Sequence, residues 1–477
     1  MGGGPGGYVA AIRAAQRGLR VGLVEKERPG GVCLNWGCIP TKAMLRSAEV
    51  FQTLQDAADF GIYADSVRFD FAAVRQRKDG IVKELTDGVA GLLVANGVTV
   101  VEGHARFTGP TTVEVFETGP SPIFQGGPRY AATPTVAHTR TISATDVIIA
   151  TGSVPALLPI PGADLPGVIT SDGAFGLTEV PKRLAVVGGS AVGAEWASLF
   201  ATFGSAVTVI EMQDRLVPLE DKEIGVALGR SFGKRGISVL TGATVTGIAQ
   251  IDGALRVRIG GAQTSELDAD AVLVGVGRRA NTAELGLADA GIDTDARGFI
   301  PVDEKLRTGV QHVYAIGDVT GKALLAHVAS HQGLTAADVI AGHDAHIDYT
   351  VIPAATFTHP EIASVGLTED AARAAGHEVI TAKFPFAALG RAKSYGDTEG
   401  FLKIVAGQKH KEVLGVHIMG PSASDLIAEG ALAISLEATL DELADTIHAH
   451  PTLGEIGMET ALTGLGLPVH IAPPRKR

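Results

Sequence analysis

Apolar runs and helical periodicity alternate in the middle of the chain in a way that predicts a βαβ unit. Residues 183–187 (Arg-Leu-Ala-Val-Val) form a short apolar run of the kind found in buried parallel strands. Residues 194–203 have apolar positions at helical spacing, and residues 206–210 form a second β-branched run that ends at Glu211. The order strand, turn, helix and strand indicates a parallel sheet.

The N-terminus repeats most of this pattern. Residues 8–18 are predicted to form a helix and residues 21–24 a strand that ends at Glu25. Only Met1 precedes the glycine turn, so the first strand of this unit is missing from the chain. In a doubly wound sheet that strand is central, and we expect its loss to expose apolar edges and weaken the retention of a bound dinucleotide.

A glycine turn precedes the helix in both units, and an acid follows 18 residues after its last small residue. The turn residues are Gly2, Gly4 and Gly7 in the first unit, and Gly188, Ser190 and Gly193 in the second. This pattern is the fingerprint of dinucleotide binding, in which the turn approaches a pyrophosphate and the acid binds a ribose. Because a carboxylate repels a 2′-phosphate, Glu211 favours NAD over NADP.

The remaining pattern predicts an α/β protein with two Rossmann-like dinucleotide-binding domains and a C-terminal α+β domain. Two more strands end in small-residue turns, one at Thr151-Gly152-Ser153 and one at Asp318. Residues 119–138 are rich in Gly, Pro and Ser and are predicted to form a surface loop, and residues 440–448 a helix. The predicted segments are 1–152, 153–277, 278–345 (a return to the first domain) and 346–477.

Composition restricts the function. The 477 residues carry a net charge of −12, which argues against nucleic acid or an acidic membrane surface as the main partner. No apolar stretch is long enough for a membrane span and no signal peptide is visible, so a cytoplasmic location is expected. Only two cysteines are present, which excludes a disulfide scaffold, a four-cysteine zinc site and a cysteine-ligated iron–sulfur cluster.

Those two cysteines, Cys33 and Cys38, lie just after the first predicted dinucleotide unit. In a regular helix, residues five apart are separated by about 7.5 Å along the axis, too far for a disulfide. Gly37 and Pro40 would permit a distorted turn, and a helix that begins near Pro40 would lower the pKa of Cys38. The segment therefore suits a reducible bridge, and the alternative is a pair of buried structural thiols.

Taken together, these motifs resemble the flavin-dependent pyridine nucleotide–disulfide oxidoreductases over almost the whole chain. The resemblance includes the cysteine segment, both glycine turns and the segments 150–153, 314–318 and 448–452, the last followed by Glu455. Within the family, the sequence is most similar to the members that oxidise dihydrolipoamide. The residues after the second unit, 211–214, are acidic, unlike those of glutathione-reductase-like members, and the C-terminal cysteines of mercuric-reductase-like members are absent.

The resemblance implies FAD and NAD as cofactors. FAD would lie along the first unit, with Glu25 at its adenosine ribose and Asp318 on its ribityl chain. Lys42 would sit near the flavin and pair with Glu195. The other implied cofactor-binding residues are Thr151, Gly152, Ser153, Gly277, Ala326 and His327, the last two at the start of a helix directed at the flavin.

The resemblance also implies the catalytic roles. Cys33 would exchange with the substrate dithiol, Cys38 would face the flavin, and His450, oriented by Glu455, would be the base. In this family the base serves the disulfide of the neighbouring subunit, so the C-terminal domain would form a homodimer. The expected partner is the lipoyl-bearing domain of a 2-oxoacid dehydrogenase or glycine-cleavage complex.

Two other functions remain open at this point. The first is an NADH-dependent reductase of another disulfide or of a quinone. The second is a flavin-poor, non-catalytic protein that has lost the flavin together with the first strand. Two departures from the family pattern lack an explanation in the sequence: Ser190 replaces a glycine, and Gln332 stands where an acid is expected.

Overall fold

The computed structural model describes residues 1–118, 135–261 and 264–472, which form three α/β units. Most of the predicted loop 119–138 lies outside the described residues, and a strand begins at Thr135. The first part of the chain contains α1 (Pro5–Gln16), β1 (Gly22–Glu25), α2 (Gly31–Trp36), α3 (Cys38–Gln55), a 3₁₀ turn (Ala57–Phe60), α4 (Phe71–Ala95), β2 (Thr99–Glu102), β3 (His104–Gly109), β4 (Thr112–Thr118), β5 (Thr135–Ser143), β6 (Val147–Ile149) and β7 (Ser153–Pro155).

The second unit is a five-stranded parallel sheet with an antiparallel three-stranded sheet beside it. The two predicted strands around the second glycine turn have the predicted bounds, and they pair in parallel at the centre of the sheet order β11-β10-β9-β15-β8. Its elements are β8 (Val168–Thr170), α5 (Ser171–Ala174), β9 (Arg183–Val187), α6 (Ala191–Thr202), β10 (Ala206–Ile210), α7 (Lys222–Lys234), β11 (Ser238–Leu240), β12 (Ala243–Ile251), β13 (Ala254–Gly261), β14 (Ser265–Ala269) and β15 (Ala271–Val274).

The chain then returns to the first unit. Its elements are β16 (Arg278–Ala280), a 3₁₀ turn (Leu287–Ala290), β17 (Val313–Ala315), a 3₁₀ turn (Gly317–Thr320) and α8 (Ala326–Ile340). Strand β16 pairs with β7, and β17 pairs in parallel with β6. Helix α8 packs along α1, where Asp338 accepts hydrogen bonds from Arg13 and Arg17. The first unit is therefore assembled from segments more than 120 residues apart.

Met1 occupies the place of the first strand in this unit. Its backbone oxygen accepts a hydrogen bond from the amide of Ala150, and its amino group donates one to the carbonyl of Ile148. On the other side, the amide of Gly2 donates to the carbonyl of Val24. The parallel strands β1-β2 and β6-β17 form two separate pairs, and the backbone of Met1 and Gly2 is hydrogen-bonded to both.

The third unit is a five-stranded antiparallel sheet, order β18-β19-β22-β21-β20, covered by helices. Its elements are β18 (Ala354–Thr356), β19 (Glu361–Gly366), α9 (Glu369–Ala374), β20 (Val379–Pro385), a 3₁₀ turn (Phe386–Ala388), α10 (Gly390–Tyr395), β21 (Phe401–Gly407), β22 (Val413–Gly420), α11 (Ala423–Ser435), α12 (Leu440–Asp445) and α13 (Glu455–Gly464). The predicted helix 440–448 was too long: it ends at Asp445, and Thr446 has an extended backbone.

Each unit has its own apolar core. The largest surrounds Trp196 and Phe200 of α6 and includes side chains of α3, so it joins the helix that carries Cys38 to the second unit. A separate core fills the third unit between its sheet and α11 and α13. Within the described ranges, no helix has the length and apolar character needed to cross a membrane.

Candidate functional site

A cleft of about 420 Å³ opens where the two dinucleotide-type units meet, a volume within the range typical of small-molecule sites. It brings together most of the residues that the sequence predicted for the first cofactor and for the thiol chemistry. These are Gly2, Gly4, Glu25, Cys33, Cys38, Lys42, Thr151, Gly152, Ser153, Glu195, Asp318 and Ala326.

The first glycine turn is shaped by close backbone contacts. Gly2 has a φ of +97°, and a Cβ at Gly7 would lie 1.8 Å from the Gly2 carbonyl oxygen, so α1 packs closely against the turn. A Cβ at Gly4 would meet only the Cα of Gly31, at 3.8 Å, and the turn is therefore open to the cleft. The Glu25 carboxylate accepts a hydrogen bond from the Gly3 amide at 2.5 Å. These features fit a bound dinucleotide.

The opposite wall of the cleft carries a buried polar network centred on Ser153. Its hydroxyl donates to the Asp318 carboxylate, and Arg278 Nε contacts the hydroxyl at 2.6 Å. Burial raises the pKa of Asp318 above its usual value, against the opposing effects of Ser153 and Arg278. The buried Thr151 hydroxyl has no hydrogen-bond partner among the described residues. The network presents polar groups to a ligand, as the predicted FAD site requires.

Arg278 of this wall and Gln332, which does not line the cleft, were not assigned from the sequence. Arg278 directly follows Gly277, and its position beside a glycine at a strand end was the only sequence signal available. Gln332, which replaces an expected acid, is fully buried; its side-chain oxygen accepts from the Gly317 amide and its nitrogen donates to the Tyr349 hydroxyl at 2.7 Å. Gln332 therefore fixes the turn that carries Asp318 without adding a charge.

The two cysteines lie on different helices, as the sequence argument requires. Cys33 is in α2, Cys38 is the first residue of α3, and Gly37 between them leaves helical geometry with φ −138° and ψ −112°. Both are free thiols in hydrogen-bond contact with each other. That hydrogen bond lowers the pKa of Cys38 to about 7 and, together with burial, raises the pKa of Cys33.

An ion pair stands beside the thiols. Lys42 Nζ donates to both carboxylate oxygens of Glu195, at 2.9 and 3.0 Å, and Glu195 also accepts from the Phe357 amide. Lys42 lies one turn after Cys38 on α3, and its positive charge lowers the pKa of that thiol, whereas Glu195 raises it. The structure thus contains the Lys42–Glu195 ion pair that the resemblance implied.

Substitutions of Lys42 and of Glu195 are expected to change the thiolate fraction of Cys38 in opposite directions. Lys42→Met removes a cation near Cys38, so the thiolate fraction near pH 7 should fall roughly ten-fold, whereas Glu195→Gln should increase it. Thiolate absorbance of the reduced protein, recorded across pH, measures both. If both substitutions shifted the pKa of Cys38 equally and in the same direction, the electrostatic role of the pair would be contradicted.

The second glycine turn repeats the geometry of the first. A Cβ at Gly193 would lie 1.8 Å from the Gly188 carbonyl oxygen, and Ser190 is the N-cap of α6. Glu211 accepts a hydrogen bond from the Gly189 amide at 2.6 Å, as Glu25 does in the first unit. Gly277, with a φ of +112°, follows β15 of the same sheet. The turn fits a second dinucleotide.

Gly7, Gly277 and the second glycine turn with Glu211 do not line the cleft, and neither do His327, His450 and Glu455. The last cleft-lining residue along the chain is Ala355, so His450 and Glu455 do not line the cleft that contains Cys33. His450 Nδ1 is 2.8 Å from Glu455 Oε1, and the imidazole is 78% exposed. His327 is also outside the cleft wall: its side chain hydrogen-bonds the backbone of Pro353. The side chain of His327 therefore contacts the third unit.

A fold of two dinucleotide units and an antiparallel unit, with a paired thiol beside the cleft, defines a flavin- and nicotinamide-dependent disulfide oxidoreductase. The chain belongs to the pyridine nucleotide-disulphide oxidoreductase family, whose model matches residues 1–333. The dimerisation domain of the same family matches residues 352–461. Membership confirms the predicted fold class, the enzyme class, the FAD and NAD cofactors and the homodimer.

Relatives and solved structures agree with this assignment. The chain is 42% identical over 478 residues to the dihydrolipoyl dehydrogenase of Chlamydia muridarum, covering 100% of this chain and 98% of the relative. It is 44% identical over 473 residues to that of Geobacillus stearothermophilus, with 99% and 96% covered.

Among solved structures, LpdA from Mycobacterium tuberculosis matches with a TM-score of 0.86 at 27% identity, covering 97% of this chain and 98% of that one. The HOCl-induced flavoprotein disulfide reductase RclA from Escherichia coli matches with a TM-score of 0.84 at 28% identity, covering 96% and 98%.

Proposed function

We propose that this protein is a dihydrolipoyl dehydrogenase, which oxidises dihydrolipoyl groups to lipoyl groups and reduces NAD⁺. The observation that carries the proposal is the hydrogen-bonded pair Cys33 and Cys38, with the pKa of Cys38 lowered to about 7, inside a dinucleotide cleft. Full-length identity of 42–44% to dihydrolipoyl dehydrogenases supports the substrate class.

Thiol–disulfide exchange at this pair accounts for the first half of the reaction. A substrate thiolate attacks Sγ of Cys33 in the oxidised pair, the Cys33–Cys38 bond breaks, and Cys38 leaves as a thiolate. The lower pKa of Cys38 makes it the better leaving group. The second substrate thiol then displaces Cys33, which closes the lipoyl disulfide and leaves both cysteines reduced.

Acidic residues of both dinucleotide units would hold the cofactors in this proposal. Glu25 and Asp318 bind the FAD ribose and ribityl hydroxyls, and Glu211 binds the ribose of NAD⁺. When bound, FAD would supply the two-electron redox chemistry that links the thiol pair to NAD⁺. The first turn of α8 directs its amides, including that of Ala326, at the cleft and favours negative charge there.

A base is required to generate the attacking thiolate. His450 serves this role from the neighbouring subunit, because its exposed imidazole lies outside the cleft of its own chain. Burial acts to raise the pKa of Glu455, but hydrogen bonds from His450 and from the Thr452 amide outweigh it and lower that pKa. The ionised carboxylate orients the imidazole and stabilises its protonated form.

The proposed partner of the homodimer is the lipoyl-bearing domain of a 2-oxoacid dehydrogenase or glycine-cleavage complex, and the proposed location is the cytoplasm. A cysteine pair with one low-pKa thiol suits exchange, in its oxidised form, with a lipoyl dithiol presented on a mobile protein domain.

A second candidate function is the NADH-dependent reduction of another disulfide or of a quinone, favoured by the similarity to RclA. A substrate comparison on the purified, flavin-loaded protein separates the two. We expect kcat/KM for dihydrolipoamide with NAD⁺ to exceed, by orders of magnitude, the values for NADH with glutathione disulfide or a quinone. The reverse order would favour the second candidate.

A further inference from the structure

The loop between β10 and α7, residues 211–221, contacts the second glycine turn at one end. The Glu211 carboxylate accepts from the Gly189 amide at 2.6 Å, and the Val217 amide donates to the Gly189 carbonyl at 2.9 Å. Leu216 packs beside the same glycine, where a Cβ would lie 2.5 Å from its Cδ2. Both backbone groups of Gly189 are therefore held by this β10–α7 loop.

The backbone of the loop is strained at that contact. Val217 has a φ of 40° although its side chain is β-branched and almost fully buried. A β-branched residue rarely adopts this left-handed conformation, and it persists only where the surrounding structure enforces it. The hydrogen bond from Val217 to Gly189 therefore depends on what holds the rest of the loop.

The other end of the loop is anchored in the third unit. Lys403 of β21 places its Nζ 3.0 and 3.1 Å from the two carboxylate oxygens of Asp221, and its side chain is only 3% exposed. The Glu369 amide donates to Asp221 at 3.2 Å. Next to it, Glu220 forms a side-chain hydrogen bond with Ser364 of β19.

Lys403 is the central charge of this anchor. Its ammonium also contacts Glu223 Oε1 at 3.0 Å and Glu369 Oε2 at 2.9 Å, so it compensates three carboxylates at once. Removing a buried partner leaves the remaining charges uncompensated, and the structure responds by exposing them to water. Exposure of Asp221 requires the β10–α7 loop to leave the third unit.

We infer that Lys403 is a positioning residue for NAD⁺ binding, acting through the β10–α7 loop on the glycine turn at Gly189. The inference rests on the proposed role of this turn as the NAD⁺ site. The dimerisation unit thereby influences the geometry of the glycine turn at Gly189, which is 214 residues from Lys403 in the sequence.

The test is the affinity for NAD⁺ alone, measured by calorimetry on the flavin-loaded dimer without an electron donor. If the loop holds Gly189 only about a tenth of the time in Lys403→Met, the apparent Kd rises roughly ten-fold. Flavin content and the KM for dihydrolipoamide should stay unchanged, because the cleft does not contain the loop. A general loss of structure would change the Kd for NAD⁺, the flavin content and the KM for dihydrolipoamide together.

Two further variants make the result decisive. Asp221→Asn keeps an oxygen that accepts from the Glu223 amide and removes only the charge, so it should weaken NAD⁺ binding even if Lys403→Met does not fold. Lys383→Met is the matched control, because Lys383 pairs with Glu223 at the same junction and does not contact Asp221.

We expect Lys383→Met to bind NAD⁺ within about two-fold of the unaltered protein. Unchanged affinity in the folded Lys403→Met and Asp221→Asn variants, or an equal loss in Lys383→Met, would overturn the inference. Failure of the unaltered dimer to bind NAD⁺ would instead contradict the proposed function.

Discussion

Cys33→Ser is expected to reduce dihydrolipoamide oxidation by roughly three orders of magnitude or more, because the attacked sulfur atom is lost. Serine retains a hydroxyl beside Cys38, so the shape of the cleft and the bound flavin should persist. The measurement is the rate of NADH formation from dihydrolipoamide and NAD⁺, normalised to flavin content.

The same variant provides its own control. NADH-dependent reduction of a quinone requires no thiol exchange, and it should continue at a rate comparable to that of the unaltered protein. If Cys33→Ser still oxidised dihydrolipoamide, the disulfide mechanism would be wrong. If both activities disappeared together with the flavin, the effect would be structural.

His450→Gln is expected to lower dihydrolipoamide turnover by about 10²–10⁴-fold, the contribution typical of a positioned general base. Glutamine cannot accept the proton of the substrate thiol, and the loss should appear in kcat while NADH-dependent quinone reduction continues. Glu455→Gln should have a smaller effect of the same kind, since its carboxylate only orients and stabilises the imidazole.

A neighbouring histidine offers a matched control. His448 contacts Glu429 Oε1 at 2.7 Å and the Thr446 carbonyl at 2.9 Å, and its side chain is largely buried. His448→Gln keeps a donor for Glu429, so turnover should remain within a few-fold. An equal loss in both histidine variants would mean that the segment acts only through its structure.

The same variants can test whether each active site combines Cys33 of one subunit with His450 of the other. Mixed dimers of Cys33→Ser and His450→Gln chains contain one active site with both residues intact if the base acts across the interface. They should regain up to about half of the activity per dimer. No recovery would place His450 and Cys33 of the same chain in one site.

Local patterns in the sequence predicted much of the fold and of the site. The strands Arg183–Val187 and Ala206–Ile210 agree with the structure, because apolar runs and glycine turns are encoded within a few residues. The helix start at Ala326, which the family resemblance implied, also agrees. The predicted helix 440–448 failed at its C-terminus, where Thr446 already adopts an extended backbone.

Long-range contacts could not be predicted in the same way. Gln332 bonds the turn that carries Asp318, and Arg278 contacts Ser153 across 125 residues of sequence. Lys403 meets Asp221 across 182 residues. None of these partners has a local signature, because burial and neighbours are set by tertiary packing. The side chain of His327, which the resemblance assigned to the cofactor, forms a hydrogen bond with the Pro353 backbone that no local pattern indicates.

The central claim is that Cys33 and Cys38 receive the electrons of the dihydrolipoyl group. The most direct measurement mixes the oxidised, flavin-loaded protein with one equivalent of dihydrolipoamide per subunit without NAD⁺, followed by rapid alkylation and peptide mapping. The account predicts that alkylation of the Cys33–Cys38 pair appears as lipoamide forms, and that adding NAD⁺ before the quench prevents it. Formation of lipoamide with the Cys33–Cys38 disulfide intact and the flavin reduced would contradict the account.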